Sequence, residues 1–587
     1  MDTKKLISAS LGEIDADIIL RGGKIVNVYT REILESDIVI ADDKIVHVGN
    51  QSKDFVGKNT VIKEIKGKFV CPGLIDSHIH IESSMLTLTE FTKTVVPHGT
   101  TTAVIDPHEL VNIMGSSGLD LLISEASLLP IRYLIEAPSC VPSLPGFETS
   151  GAIIDSNEIG KLMQKKEIFG LGEMMNYPGL LLRLDEVIRK VDSAKKMDKV
   201  IEGHAPLLKN KELQAYIAAG IFSDHEATTA EEVVEKLRLG MRIQIREGSF
   251  AKDLERIFST LKDYSIDTRN ILIASDDRNP SDLYEKGHLD YTYRLLIKSG
   301  VNPLEAIQML TINPALHLKL QDEIGGIAPG KSADVIVVDN LENFNVLTTI
   351  AKGRIIYDNG ELAESYREIT YPADISNTLL NLEVPSKEEL ILRSSVQERT
   401  HVRVIGITEH SLITEKLEAA LSVENGSIIP DIDEDILPVV VINRHTTEKK
   451  IGRGFVSGFG IKNAAIASTV VHDCHQLICV GTDYDLIIDA IKILKDSNGG
   501  QVIVTPDLIT LLPLEFAGIM SFSPIREVVT QQQTLHKALN LIKPKIKDPF
   551  MALSFIALPV IPHLKITDHG LVDVDELKIV DVEIAQK

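Results

Sequence analysis

The sequence predicts an α/β protein: a (β/α)8 TIM-like barrel inserted in a small β-sandwich domain, followed by a C-terminal α+β domain. Three observations predict it. Strand-like and helix-like segments alternate over residues 71–320, with eight strand candidates in the order a barrel requires. Short β runs punctuated by Gly and Asp precede residue 70, and the same texture returns after residue 320. A third, mixed region runs from about residue 381 to the end.

The elements follow in order. Asp17-Ile18-Ile19-Leu20, Lys24-Ile25-Val26-Asn27-Val28, Ser36-Asp37-Ile38-Val39-Ile40 and Lys44-Ile45-Val46-His47-Val48 are separated by Gly22-Gly23 and Asp42-Asp43. Val335-Ile336-Val337-Val338, Val346–Ile350 and Gly353–Tyr357 continue that pattern, so residues 1–70 and 321–380 are expected to form one discontinuous β-domain around the insert. Within 71–320 the strands are expected near Leu74–Ile81, Thr101–Asp106, Arg132–Ala137, Phe169–Met174, Val200–His204, Ile221–His225, Arg242–Arg246 and Ile271–Asp276. Helices are expected over Leu180–Lys195, Lys211–Ala219, Ala230–Leu239 and Ala251–Tyr264. A doubly wound open sheet is the rival, but no Gly-rich nucleotide loop follows the first strand. Residues 381–587 combine the Gly-rich run Gly452–Gly460, the β-like Leu477–Val480 and a helix near Asp485–Lys495.

Composition narrows the function. A net charge of −23, from 61 basic and 84 acidic residues, argues against a nucleic-acid surface, which needs a basic face. No apolar stretch approaches the roughly 20 residues of a bilayer span, so no membrane partner is expected. The N-terminal residues read as mixed polar sequence rather than a signal peptide. Cys71, Cys140, Cys474 and Cys479 form neither a C-x-x-C nor a disulfide framework, and a cytoplasmic location is expected.

The chemistry collects at the strand ends, where barrel enzymes place it. The first strand ends in His78-Ile79-His80, and alternation along a strand points both imidazoles the same way. The fourth ends in Gly172-Glu173, the fifth in Gly203-His204, the sixth in Asp224-His225 and the eighth in Ser275-Asp276. These are nitrogen and oxygen donors without a thiolate, a set that suits Zn, Mn or Fe(II). Six donors exceed what one open catalytic metal needs and match two, with Glu173 able to bridge. Asp276 can bind metal and also move a proton between water and a leaving group.

Pro72-Gly73-Leu74-Ile75-Asp76-Ser77-His78-Ile79-His80, the later histidines, Asp276 and the closing Gly326-Ile327-Ala328-Pro329-Gly330-Lys331-Ser332-Ala333-Asp334 resemble the amidohydrolase superfamily. Many of its members carry a carboxylated lysine on strand four, where this chain has Glu173. His80-Ile81-Glu82-Ser83-Ser84-Met85, Asp106-Pro107-His108-Glu109, Gly172-Glu173-Met174-Met175-Asn176 and Ser223-Asp224-His225-Glu226 resemble, more narrowly, the bacterial and archaeal adenine deaminase family. So do Ser457–Gly460, Ala467–His475 and Gly518–Ser521 in the third region. The resemblance implies hydrolysis of adenine to hypoxanthine and ammonia in purine salvage, with two divalent ions, manganese or iron, zinc also admissible. It places the metals on His78, His80, Glu173, His204, His225 and Asp276. Bridging hydroxide would attack C6, with Asp276 and Glu82 as catalytic groups and Glu82, Asp277 and Arg278 as substrate contacts.

The partner expected is therefore a small molecule, adenine, with the protein a homo-oligomer of two or more chains. Two other readings stand beside this one. One is an amidohydrolase acting on another cyclic amide or amidine or an N-acetyl sugar, and the other is a catalytically silent scaffold. His80-Ile81-Glu82 also spells the H-x-E of zinc nucleoside deaminases, but the P-C-x-x-C that completes that motif does not occur. His108 and Glu109 leave function and rim structure both open. His472 and His475 are expected to hydrogen-bond within or between domains rather than bind a second metal. His288, His317 and His401 read as structural or exposed, and Cys140 as packing. Cys474 and Thr446 depart from the family pattern, away from the six donors.

Overall fold

The computed structural model describes residues 1–363, 369–409 and 411–585. Eight parallel strands carry the centre of the molecule: β1 (Leu74–His80), β2 (Thr100–Ile105), β3 (Arg132–Ala137), β4 (Ile168–Met174), β5 (Val200–Gly203), β6 (Ser223–Asp224), β7 (Arg242–Arg246) and β8 (Ile271–Ala274). Strands β1 to β5 form one sheet and β6 to β8 a second. Side chains tie the two at both seams. Ser77 Oγ donates to the Ile273 carbonyl (2.7 Å) and the Gln244 amide donates to the Ser77 carbonyl (3.0 Å). At the other seam the Gly203 N–H donates to Ser223 Oγ (2.9 Å). Every residue of β1 and β2 is buried, as both faces of such strands are covered, and this is why their sequences lack polar alternation.

Two strands are shorter than the sequence suggests. β6 is two residues long, and Gly203 packs so closely on it that a Cβ there would lie 2.0 Å from the Ser223 carbonyl oxygen. β8 stops at Ala274, and Asp276 takes a left-handed conformation (φ 56°), unusual for a residue other than glycine. That kink returns Asp276 and Asp277 alongside β1, in register with Ile79 and His80. The expected helix Leu180–Lys195 is two helices, Tyr177–Leu181 and Asp185–Lys196. Arg183 (φ 58°) breaks the path, and Asp185 and Glu186 open the second helix, where acidic side chains complement its dipole.

Residues on either side of the barrel share one nine-stranded sheet. Phe69–Pro72 is its join, parallel to Ile18–Asn27 and antiparallel to Val335–Val338. Ile25, Ile38, Val70, Val335 and Val337 pack in a single cluster, so the two halves share one side of their core. Beyond the barrel, a second nine-stranded sheet spans Glu398 to Pro513. The helix Tyr484–Asp496 lays Ile487, Ala490, Ile491 and Leu494 on it, at the helical spacing of a buried stripe. A third apolar cluster runs without interruption from the barrel into this sheet, and the Ser521 N–H donates to the Met85 carbonyl (2.9 Å) across the junction.

Candidate active site

The six strand-end donors meet in one buried volume. His78 Nε2 and His80 Nε2 are 3.2 Å apart, and Asp276 Oδ1 is 3.8 Å from the first and 3.3 Å from the second. Glu173 lies between this group and the opposite wall. Its Oε1 is 3.5 Å from His80 Nε2, while its Oε2 is 2.6 Å from His204 Nδ1 and 3.0 Å from His225 Nε2. The His78 and His225 rings stack at 4.3 Å. His204 alone of the six is partly open to solvent.

These groups suit divalent cations. The donors are imidazoles and carboxylates with no thiolate among them, and His78, His80 and Asp276, as well as His78, Glu173 and His225, lie close enough together to share an ion. The His80 Nδ1–H donates to the Asp106 carbonyl (2.9 Å), which turns Nε2 toward Glu173 and Asp276. Burial, then the neighbouring imidazoles of His225 and His80, push His78 down to about 3, so it stays neutral, the form that binds metal. For Glu173 and Asp276 burial opposes ionisation, but facing cationic partners, His204 and His225 for one and His80 and Arg246 for the other, hold both well below the usual carboxylate range.

Supports surround the six. Asp106 Oδ2 accepts the Glu173 N–H (2.9 Å), an approach open only because residue 172 is glycine; a Cβ there would lie 2.1 Å from that oxygen. Arg246 on β7 donates to Asp276 Oδ2 (3.0 Å) and pairs with Glu226, fixing which carboxylate oxygen faces the histidines. Lys236, wholly buried, donates to Asp224 Oδ2 (2.8 Å), Glu232 Oε1 (2.7 Å) and the Ala205 carbonyl (2.9 Å). Asp224 in turn accepts the Ala205 and Ala227 N–H groups (2.8 and 3.0 Å), so one ammonium ties together the loops that follow His204 and His225. Lys236→Met strands the Asp224 carboxylate in a dry site and is expected to cost about 3–5 kcal/mol in a urea titration. A loss below about 1 kcal/mol would mean that water replaces the ammonium.

Of the remaining expected site residues, Glu82 is buried two residues past His80, beside Glu109 and His108. Its Oε1 accepts the Leu110 N–H (3.0 Å) and its Oε2 has no partner among the described residues. Burial, then the charge of Glu109, push it up to about 7. Asp277 accepts the Ser83 hydroxyl and keeps partial exposure. Arg278 is placed differently from its expected role as a substrate contact. It is fully buried, and its guanidinium donates to the carbonyls of Glu247 (3.3 Å), Asp282 (3.4 Å) and Gly287 (2.7 Å), bonds that hold the loop after Asp277.

His108 is drawn into the cluster, its ring 4.6 Å from that of His80 and its Nδ1 3.7 Å from Glu173 Oε1. Behind it the C-terminal region reaches in. His472 Nδ1 is 3.1 Å from Glu109 Oε1, and His475 Nε2 is 3.6 Å from Glu109 Oε2. This trio has the look of a further metal site, but His475 Nδ1 accepts the Val471 N–H (3.1 Å). Its own proton therefore sits on Nε2, toward Glu109, where a metal would need a lone pair. Glu109 and His472 form an ion pair between the barrel and the C-terminal region, with the neutral His475 beside them. Burial favours the neutral acid of Glu109, but His472 and His475 outweigh it and hold the carboxylate below its usual range.

Comparison with known proteins agrees along the whole chain. The amidohydrolase family profile matches residues 69–356, and the adenine deaminase C-terminal domain profile matches residues 411–578. An adenine deaminase of Methanothrix thermoacetophila is 42% identical over 576 residues, 98% of this chain and 98% of its own. One of Staphylothermus marinus is 39% identical over 584 residues, 98% of this chain and 96% of its own. Among solved structures, a β-aspartyl dipeptidase of Fervidobacterium islandicum AW-1 aligns with a TM-score of 0.47 at 18% identity, over 60% of this chain and 99% of that one.

Proposed function

We propose a reaction from one premise, that this chain belongs to the adenine deaminase family of amidohydrolases. The reaction is the metal-dependent hydrolysis of adenine to hypoxanthine and ammonia, a step of purine salvage. The observation that carries it is the convergence of His78, His80, Glu173, His204, His225 and Asp276 at the strand ends of a chain similar to adenine deaminases over its full length.

On this reading those six side chains hold two divalent ions, manganese or iron, with zinc as the other option. Ions bound there supply Lewis acidity that makes water a nucleophile near neutral pH. The chain's own groups then account for every proton. Water adds across C6 and N1 of the purine. Asp276 takes the proton that the water loses. Glu82, an acid with a free Oε2, gives one to N1, so C6 becomes tetrahedral without charge building on the ring. Asp276 returns its proton to the exocyclic nitrogen, the C6–N bond breaks, and ammonia leaves. The C6 hydroxyl loses its proton to Glu82, giving the carbonyl of hypoxanthine and resetting the acid. Arg246 keeps Asp276 aimed through this cycle, and Asp106 does the same for the backbone of Glu173.

The test is a spectrophotometric assay of purified protein loaded with Mn(II) or Fe(II). Adenine is expected to convert stoichiometrically to hypoxanthine with matching ammonia release, and chelation is expected to stop it. Protein replete with either metal that leaves adenine unchanged would overturn the proposal and point to another cyclic amidine or amide.

A further inference from the structure

His472 has one ring edge accounted for and one that is not. Its Nδ1 meets Glu109, and its ring lies nearly parallel to Phe555, with centroids 4.8 Å apart and planes 21° apart. Both contacts fix the ring in place. Its Nε2 has no partner among the described residues, and the side chain keeps 16% of its exposure, so the ring is not wholly covered. The surroundings place it close to the six donors. The next residue, Asp473, lies 3.9 Å from His108 Nε2, and His108 in turn packs edge-on against His80. Thus a single side chain separates this loop from the first-strand histidines. Glu82 adjoins Glu109 on one side, and the charge of Asp277 reaches His472 from the other.

We propose that His472, supplied by the C-terminal region, is a specificity-determining residue that contacts the purine substrate through its free Nε2 edge. This rests on the deaminase reading above. A purine held with C6 over the six donors presents its remaining ring nitrogens away from them, toward the loop from the C-terminal region. Those nitrogens include acceptors and one N–H, and an imidazole edge complements either. The Glu109 carboxylate and, more weakly, Asp277 favour the protonated ring despite its burial, raising His472 to about 9. Near neutrality, then, the free edge is an N–H that suits a ring acceptor. The arrangement also gives the third region a part in the chemistry: it closes the pocket and reads the substrate.

The experiment is steady-state kinetics on the full-length, metal-loaded enzyme. His472→Ala is expected to raise KM for adenine about tenfold, the loss of one charge-assisted hydrogen bond, with a smaller change in kcat, unchanged metal content and a lowered melting temperature, because the buried Glu109 loses its cation. His472→Gln, which keeps an N–H donor, is expected to recover part of the loss. Phe555→Leu, which frees the ring, is expected to raise KM by a smaller factor and keeps the test open should the alanine variant fail to fold. A wild-type KM in these variants overturns the inference while leaving the deaminase reading intact. Wild-type enzyme that fails to deaminate adenine overturns both.

Discussion

Glu173→Ala is expected to lose bound metal and turnover together. The carboxylate stands between the two sides of the cluster, one oxygen toward His80 and the other toward His204 and His225. No other group among the described residues reaches both sides with separate oxygens. Removing it leaves no carboxylate between the two sides, and cations brought together there would repel more strongly in a buried site. The protein should still fold. Glu173 is one side chain on a strand whose register is set by backbone bonds, and Asp106 grips its N–H rather than its carboxylate. Elemental analysis of purified protein, alongside the adenine assay, decides the matter. A folded variant with full metal content and normal turnover would remove Glu173 from the site. Loss of metal with near-normal turnover on re-addition would leave it a ligand but not an essential one. Glu173→Gln, similar in shape but uncharged, should fall between, because an amide oxygen still binds a hard cation, though weakly.

What the sequence disclosed and what it concealed follow from how each feature is written in the chain. The barrel was readable because eight strand-like segments alternate with helix-like ones over a barrel's length, several of them, such as Ile271–Ala274, wholly apolar. His78, His80, Glu173, His204, His225 and Asp276 stand at those ends, and a regular barrel brings strand ends together whatever the loops do. Lost from view was everything that depends on contacts between distant segments. The junction of Glu109 with His472 and His475 joins positions more than three hundred residues apart. No periodicity announces it, and the resemblance of His472 and His475 to a metal pair is undone by one backbone N–H that only the fold reveals. Arg246 looks like any strand arginine until the structure aims it at Asp276 and Glu226. Arg278 misled for the converse reason: its place beside Asp277 suggested the pocket, but the turn after the left-handed Asp276 sends its guanidinium into backbone carbonyls. One signal was available. Gly172 in Gly170-Leu171-Gly172-Glu173 sits where a strand would favour a larger residue, and such a glycine marks a close approach, here by Asp106.

The second large effect expected is at Glu82. Glu82→Gln should leave metal content intact and lower kcat by about a hundredfold or more, the range lost when a positioned general acid is removed. The geometry separates this residue from the metal ligands. Its Oε1 is committed to the Leu110 N–H, and its buried Oε2 has no partner among the described residues. A ligand would have to give up one of those places, whereas a proton donor needs both: one oxygen held so that the other is aimed. Glutamine preserves the Leu110 contact and the shape of the wall, so folding and substrate binding should change little. It cannot release a proton to N1, however, and addition of water at C6 would then leave negative charge on the ring. The deficit should therefore fall on kcat more than on KM. A purine whose ring accepts water more readily should narrow the gap between variant and wild type, since it depends less on ring protonation. Loss of metal in Glu82→Gln would instead make Glu82 a ligand. Unchanged kcat would pass the ring proton to another donor, and Asp277, held by Ser83 on the same wall, would be the next to replace.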